Sequence, residues 1–184
     1  MEPFYKAFAS ALIKICIWII PVILLVKFVE NKNPFTYLGL RHNVYKGLKW
    51  AGWISLTMAI YFVVLNLLIL KNEFNFNLGF NSWLNIIILV GIVEELVFRG
   101  FLLKKLTETY TFWKANMVTS SLFVSIHFPI WFYKGLFETP SIFNAIFTVF
   151  IIGFIFGVIY KRTNSLWSVI IIHSMYNLFL SIFH

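Results

Sequence analysis

Trp83-Leu-Asn-Ile-Ile-Ile-Leu-Val-Gly-Ile-Val-Glu94-Glu95-Leu-Val-Phe-Arg99-Gly-Phe-Leu-Leu103 is the stretch on which the fold turns. Its length is close to the roughly 20 residues that cross a bilayer core as a helix. Yet it holds two adjacent carboxylates and an arginine, and each central charge costs roughly 2.5–3.5 kcal/mol to insert. Glu95 and Arg99 are four residues apart and share a helix face, so they pair and offset part of that cost. Glu94 points about 100° away, toward a different neighbour. One glutamate thus stays ionised beside arginine while the other is prepared as a general base. The plainer alternative is a buried ion pair that only holds helices together.

The rest of the chain belongs to the same class. Of 184 residues, 60% are hydrophobic and 12% charged, with a mean hydropathy of +0.85, too little polar surface for a domain bathed in water. The apolar residues fall in blocks, which predict an all-α, polytopic transmembrane bundle of about six spans. These are Ala7 to Val29, Ala51 to Leu70, Trp83 to Leu103, Ala115 to Phe132, Ile142 to Tyr160 and Leu166 to Phe183. The first is interrupted by Lys14, free to snorkel or to face the bundle, and by Pro21. The connection from Glu30 to Trp50 mixes aromatic and basic residues and reads as an interfacial segment lying on the membrane. No repeat or long linker divides residues 1–184, which form one membrane domain. A lone Cys16 rules out an intrachain disulfide, and no removable signal peptide is read at the start.

The net charge of +8 does not point to nucleic acid, because the Lys and Arg residues sit in short connections between apolar blocks. Those after the first, third and fifth spans carry Lys32, Arg41, Lys46 and Lys49, then Lys104, Lys105 and Lys114, then Lys161 and Arg162. The opposite side offers Lys6, Lys71 and Lys134. Positive-inside bias therefore places the richer side in the cytoplasm and both termini outside.

Two further spans carry polar residues. His127 precedes Pro129, which kinks a helix and frees a carbonyl. His173 and Asn177 are four apart on one face, so both can donate to a single point, as in an oxyanion hole, or clamp two helices. Depth links them to the first motif. Counted from Lys104, Lys114 and Arg162, the residues Glu94, His127 and His173 lie roughly 15, 20 and 17 Å deep at 1.5 Å per residue. Three helices put ionisable groups in one layer. An ion pathway would spread them over several depths. Gly153 and Gly157 have small-xxx-small spacing and read as a close helix contact, and the abundant Phe reads as filler.

The absences narrow the chemistry. The chain contains no Asp, which removes a two-aspartate site, and no Gly-x-Ser or His-Glu-x-x-His. What remains is glutamate, two histidines and an asparagine. The series Glu94-Glu95-x-x-Phe98-Arg99, Phe123-x-x-x-His127, Tyr160-Lys-Arg-Thr163-x-Ser-Leu-Trp167 and His173-x-x-x-Asn177 resembles the CPBP family, the membrane proteins related to CAAX prenyl endopeptidases and also called the CAAX amino-terminal protease or ABI family. The resemblance covers residues 83–183, the expected catalytic core. Asn164 departs from the glycine of many members, and the small number of spans departs from the eukaryotic enzymes.

The resemblance implies an intramembrane endopeptidase of a bacterial plasma membrane, acting on a membrane-associated peptide or protein, and the charge bias puts the opening of its site on the cytoplasmic side. It implies that Glu94 and His127 activate water, that His173 and Asn177 stabilise the oxyanion, and that Glu95 and Arg99 support the first motif. No cofactor is expected. Glu94, His127 and His173 are also a zinc ligand set, which stands as the lesser reading. From a different class comes the alternative of a non-catalytic bacteriocin-immunity or scaffold protein of the same fold.

Overall fold

Apolar blocks of this length satisfy their backbone groups internally, and in a membrane only helices or closed barrels do so. The computed structural model describes residues 4–183, and among them every regular element is a helix. Helix α1 spans Phe4–Val29, α2 Pro34–Tyr37, α3 Val44–Leu70, α4 residues 79–106, α5 Phe112–Ser125, α6 Phe128–Tyr133, α7 Ser141–Thr163 and α8 Leu166–Ile182. Three of these, α1, α3 and α7, are long and apolar enough to cross a membrane. Their outer faces expose large apolar side chains such as Phe8, Leu12, Ile60 and Leu68, as lipid contact requires.

Pro21 does not break α1. The helix widens to i→i+5 turns over Ile15–Ile19, just before the proline, and this gives its ring room. Lys14 faces the bundle, with Nζ donating to the Asn85 carbonyl at 2.8 Å. The expected interfacial segment is shorter than its composition implies, because Val44 to Trp50 form the first turns of α3. Its remainder does not lie loose on a surface. Tyr37 and Leu38 are buried in the main core, and Leu40 O accepts from Trp167 Nε1 at 2.9 Å.

The block from Ala115 to Phe132 also differs from a single span. It divides into α5 and α6 at Ile126 and His127, ahead of Pro129 in the first turn of α6. There the His127 N–H turns to the Val124 carbonyl at 3.0 Å instead of that of Phe123.

Helix α8 packs against α3 and α4, and α5 against α7. Two glycines let these pairs close. A Cβ on Gly91 would collide with Ser174 Oγ, and one on Gly157 with Asn116 Oδ1. Small residues serve this purpose in membranes, where close backbone approach supplies the attraction. The main core then draws Val26 of α1, Ala51 of α3, Phe98 of α4, Phe123 of α5, Phe156 of α7 and Val169 of α8 into one cluster. Where α7 turns into α8, Asn164 adopts φ +50°. That conformation suits glycine best and asparagine next, which explains how the chain tolerates its departure from the family pattern.

Candidate active site

Gly91 brings α8 against α4 one turn before the paired glutamates, and this sets His173 beside them. Glu95 and Arg99 are 0% and 2% exposed, so their charges must be met inside the protein. Glu95 Oε1 accepts from Arg99 Nη1 and from His173 Nδ1, each at 2.8 Å. Arg99 Nη2 donates to the Gly153 carbonyl of α7 at 2.9 Å. The guanidinium lies 4.5 Å from the Phe123 ring centre and 5.6 Å from that of Phe156, within cation–π range. One arginine thus ties α4, α5 and α7, and His173 adds α8. Gly153 and Phe156 were legible only as packing residues, and Phe123 as the first residue of the Phe123-x-x-x-His127 motif. No spacing along the chain links them to Arg99, which lies on another helix, so their electrostatic part had no signal in the sequence.

Glu94 sits on the other flank of His173. Its Oε2 lies 3.9 Å from His173 Nε2, too far for a hydrogen bond. Buried oxygens without a hydrogen-bond partner include Oε2 of both Glu94 and Glu95. The Glu95 carboxylate held by Arg99 only accepts, so His173 Nδ1 bears a proton, and Nε2 is the nitrogen turned to Glu94.

His127 is oriented by a comparable device. The helix break releases the Phe123 carbonyl, and His127 Nδ1 takes it at 2.8 Å. A carbonyl cannot donate, so Nδ1 carries the proton and Nε2 is left free. The Phe123 ring stands between the two histidines, with centroids 5.1 Å from His127 and 6.1 Å from His173. His127 lies within electrostatic reach of Glu94.

Asn177 is placed at another level. Its Nδ2 donates to the Ile86 carbonyl at 3.0 Å, and Ile86 precedes Glu94 by two turns of α4, about 12 Å of helix. At that level α4 has wide turns over Ser82–Ile88. Lys14 and Asn177 approach it from α1 and α8 and bond consecutive carbonyls of Asn85 and Ile86. Among the described residues, no group of three or more His, Cys, Asp or Glu side chains is placed to hold a metal ion.

Comparison with curated proteins and with solved structures returns no match. A family match does exist, running over residues 75–179 to the description "Type II CAAX prenyl endopeptidase Rce1-like". It begins just before α4 and ends inside α8, enclosing Glu94, Glu95, Arg99, His127, His173 and Asn177. Covering more than half of the chain, the match assigns this membrane protein to the Rce1-like family of type II CAAX prenyl endopeptidases, a family of proteases.

Proposed function

We propose that the chain is a glutamate-dependent intramembrane endopeptidase that hydrolyses a peptide bond in a membrane-associated peptide or protein. The observation that carries this reading is Glu94 Oε2, a buried acceptor without a partner, 3.9 Å from an imidazole nitrogen. Such an acceptor calls for a donor, and an attacking water supplies one. A general base must be ionised, and with Glu94 ionised the buried cluster of Arg99, Glu95, Glu94 and His173 is neutral only when His173 is the second cation. Water bonded to Glu94 and to the free Nε2 of His127 loses a proton to Glu94 as its oxygen attacks the peptide carbonyl. The cluster then carries one positive charge, matched by the new oxyanion, to which His173 Nε2–H donates; the Asn177 amide, held by the Ile86 carbonyl, joins it only on leaving that bond. Collapse breaks the C–N bond, and the amine leaves with the proton held by Glu94.

In this reading α1, α3, α4, α5 with α6, α7 and α8 make six crossings. Both termini face outward from a bacterial plasma membrane, and the site opens toward the basic, cytoplasmic side. No metal takes part in the reaction.

The test is to incubate the purified, lipid-reconstituted protein with a membrane peptide fraction and map cleavage by mass spectrometry. Products formed by the wild type and absent with Glu94→Gln are expected, with chelators leaving the yield unchanged. Activity abolished by chelation and restored by zinc would make Glu94, His127 and His173 ligands. No cleavage by the wild type would put the non-catalytic immunity or scaffold reading in its place, and cleavage indifferent to Glu94→Gln would remove Glu94 as the base.

A further inference from the structure

Away from the glutamates, at the basic end of the bundle, α4 and α7 stop and α5 begins. A cavity of about 390 Å³ opens there, lined by Lys104 and Lys161 with Leu103, Thr107, Phe112 and Tyr160. A second cavity of about 390 Å³, with Lys32 and His42 on its walls, shares Lys104. The two ammonium groups of the first cavity are unlike their neighbour. Lys105 bonds Glu30 and Glu108, each at 2.8 Å. Among the described residues, Lys104 and Lys161 have no carboxylate partner. Lys104 Nζ donates to the Tyr37 carbonyl at 2.6 Å and lies 4.3 Å over that ring. Lys161 Nζ lies 4.1 Å over Phe112 and 5.5 Å over Trp113. Aromatic faces hold both groups toward a concave surface without neutralising either.

We propose that this cavity binds the phosphate of an anionic phospholipid headgroup. Two cations at helix ends, at the depth where headgroups lie, match a phosphodiester in charge and position. Leu103 and Phe112 offer apolar wall to the glycerol and first methylenes, which a free phosphate ion would not use. Aromatic residues at this level, Trp113 among them, are placed as interfacial anchors.

The experiment compares retention of phosphatidylglycerol and phosphatidylcholine by the purified full-length chain, read by native mass spectrometry. The wild type should prefer phosphatidylglycerol. Lys104→Gln with Lys161→Gln should weaken that preference about thirtyfold, from the attraction of two basic residues near a membrane surface. Lys161 is exposed, so Lys161→Gln alone leaves the fold intact and should weaken it about fivefold. Lys49→Gln, which removes the same charge outside the cavity, should leave it unchanged. An equal loss with Lys49→Gln, or none with Lys161→Gln, would overturn the site in favour of general surface charge. Inorganic phosphate that competes as tightly as the lipid would assign the cavity to a free anion instead. A peptide that displaces the lipid only when its C-terminal carboxylate is free would make it a peptide subsite.

Discussion

Two polar levels of helix α4, one at Asn85 and Ile86 and one at Glu94 to Arg99, both meet α8 and are completed differently, the first with α1 and the second with α5 and α7. At the first, Lys14 Nζ reaches the Asn85 carbonyl, Asn85 Nδ2 donates to Ala7 O and Asn81 Oδ1, and Asn177 Nδ2 takes the Ile86 carbonyl. At the second, Glu95 Oε1 is doubly bonded, but Oε2 of Glu94 and of Glu95 have no partner. A polar group inside a membrane is costly at either level. Where each donor meets an acceptor, polarity clamps helices. Where an acceptor is left over beside an oriented imidazole, the arrangement is suited to proton transfer.

The sharpest way to break this comparison is Glu94→Gln, which keeps size and removes basicity. Peptide cleavage should fall by roughly 10²–10⁴-fold, the usual share of general-base catalysis, with membrane yield unchanged. Equal turnover in the two proteins would erase the distinction between the levels. Next in size are Glu95→Gln and Arg99→Leu. Each leaves a buried charge uncompensated, and the cost is about 3–5 kcal/mol of stability. Lower membrane yield and a lower unfolding midpoint in detergent should accompany any loss of activity. Gly157→Ala acts on neither level directly. Its methyl meets Asn116 Oδ1 between α5 and α7, and overpacking of that kind costs about 1–3 kcal/mol. Thermal unfolding in detergent would measure it.

The saturated level should give a smaller response. Asn85→Leu removes bonds whose membrane counterparts contribute about 0.6 kcal/mol each, so the midpoint falls slightly and turnover per folded molecule holds. A fall in turnover as large as that of Glu94→Gln would make the lower level part of the chemistry. Smallest of all is an effect outside the spans. The ammonium of Lys105, hydrogen-bonded to Glu108, holds that carboxyl below its ordinary range. Its contribution is therefore complete above the ordinary glutamate value, about 4.3, and lost as pH falls through the lowered one. Both groups are exposed, so the midpoint measured against pH should change little there. A large acid transition abolished by Glu108→Gln would give this pair a larger share of the stability than exposed ion pairs ordinarily hold.

Much of the fold was legible because a bilayer imposes one-dimensional rules. Apolar length marks α1, α3 and α7, and the spacing of Glu95 and Arg99 on α4 gives their pairing, since both follow from helix geometry within one segment. The family likewise follows from the order of its motifs. Tertiary structure decided the rest, because it depends on which helices touch. Only packing through Gly91 puts His173 Nδ1 on Glu95 and turns Nε2 toward Glu94. A local backbone bond places the break at His127 ahead of Pro129, where composition reads a continuous span. Asn177 shares a face with His173 by spacing, yet its amide goes to a carbonyl that the wide turns of α4 present, a contact with no trace in periodicity. Sequence determines which groups are too costly to leave unpaired in lipid; three-dimensional contact chooses their partners, because a side chain bonds what lies within about 3 Å of it rather than what lies four residues away.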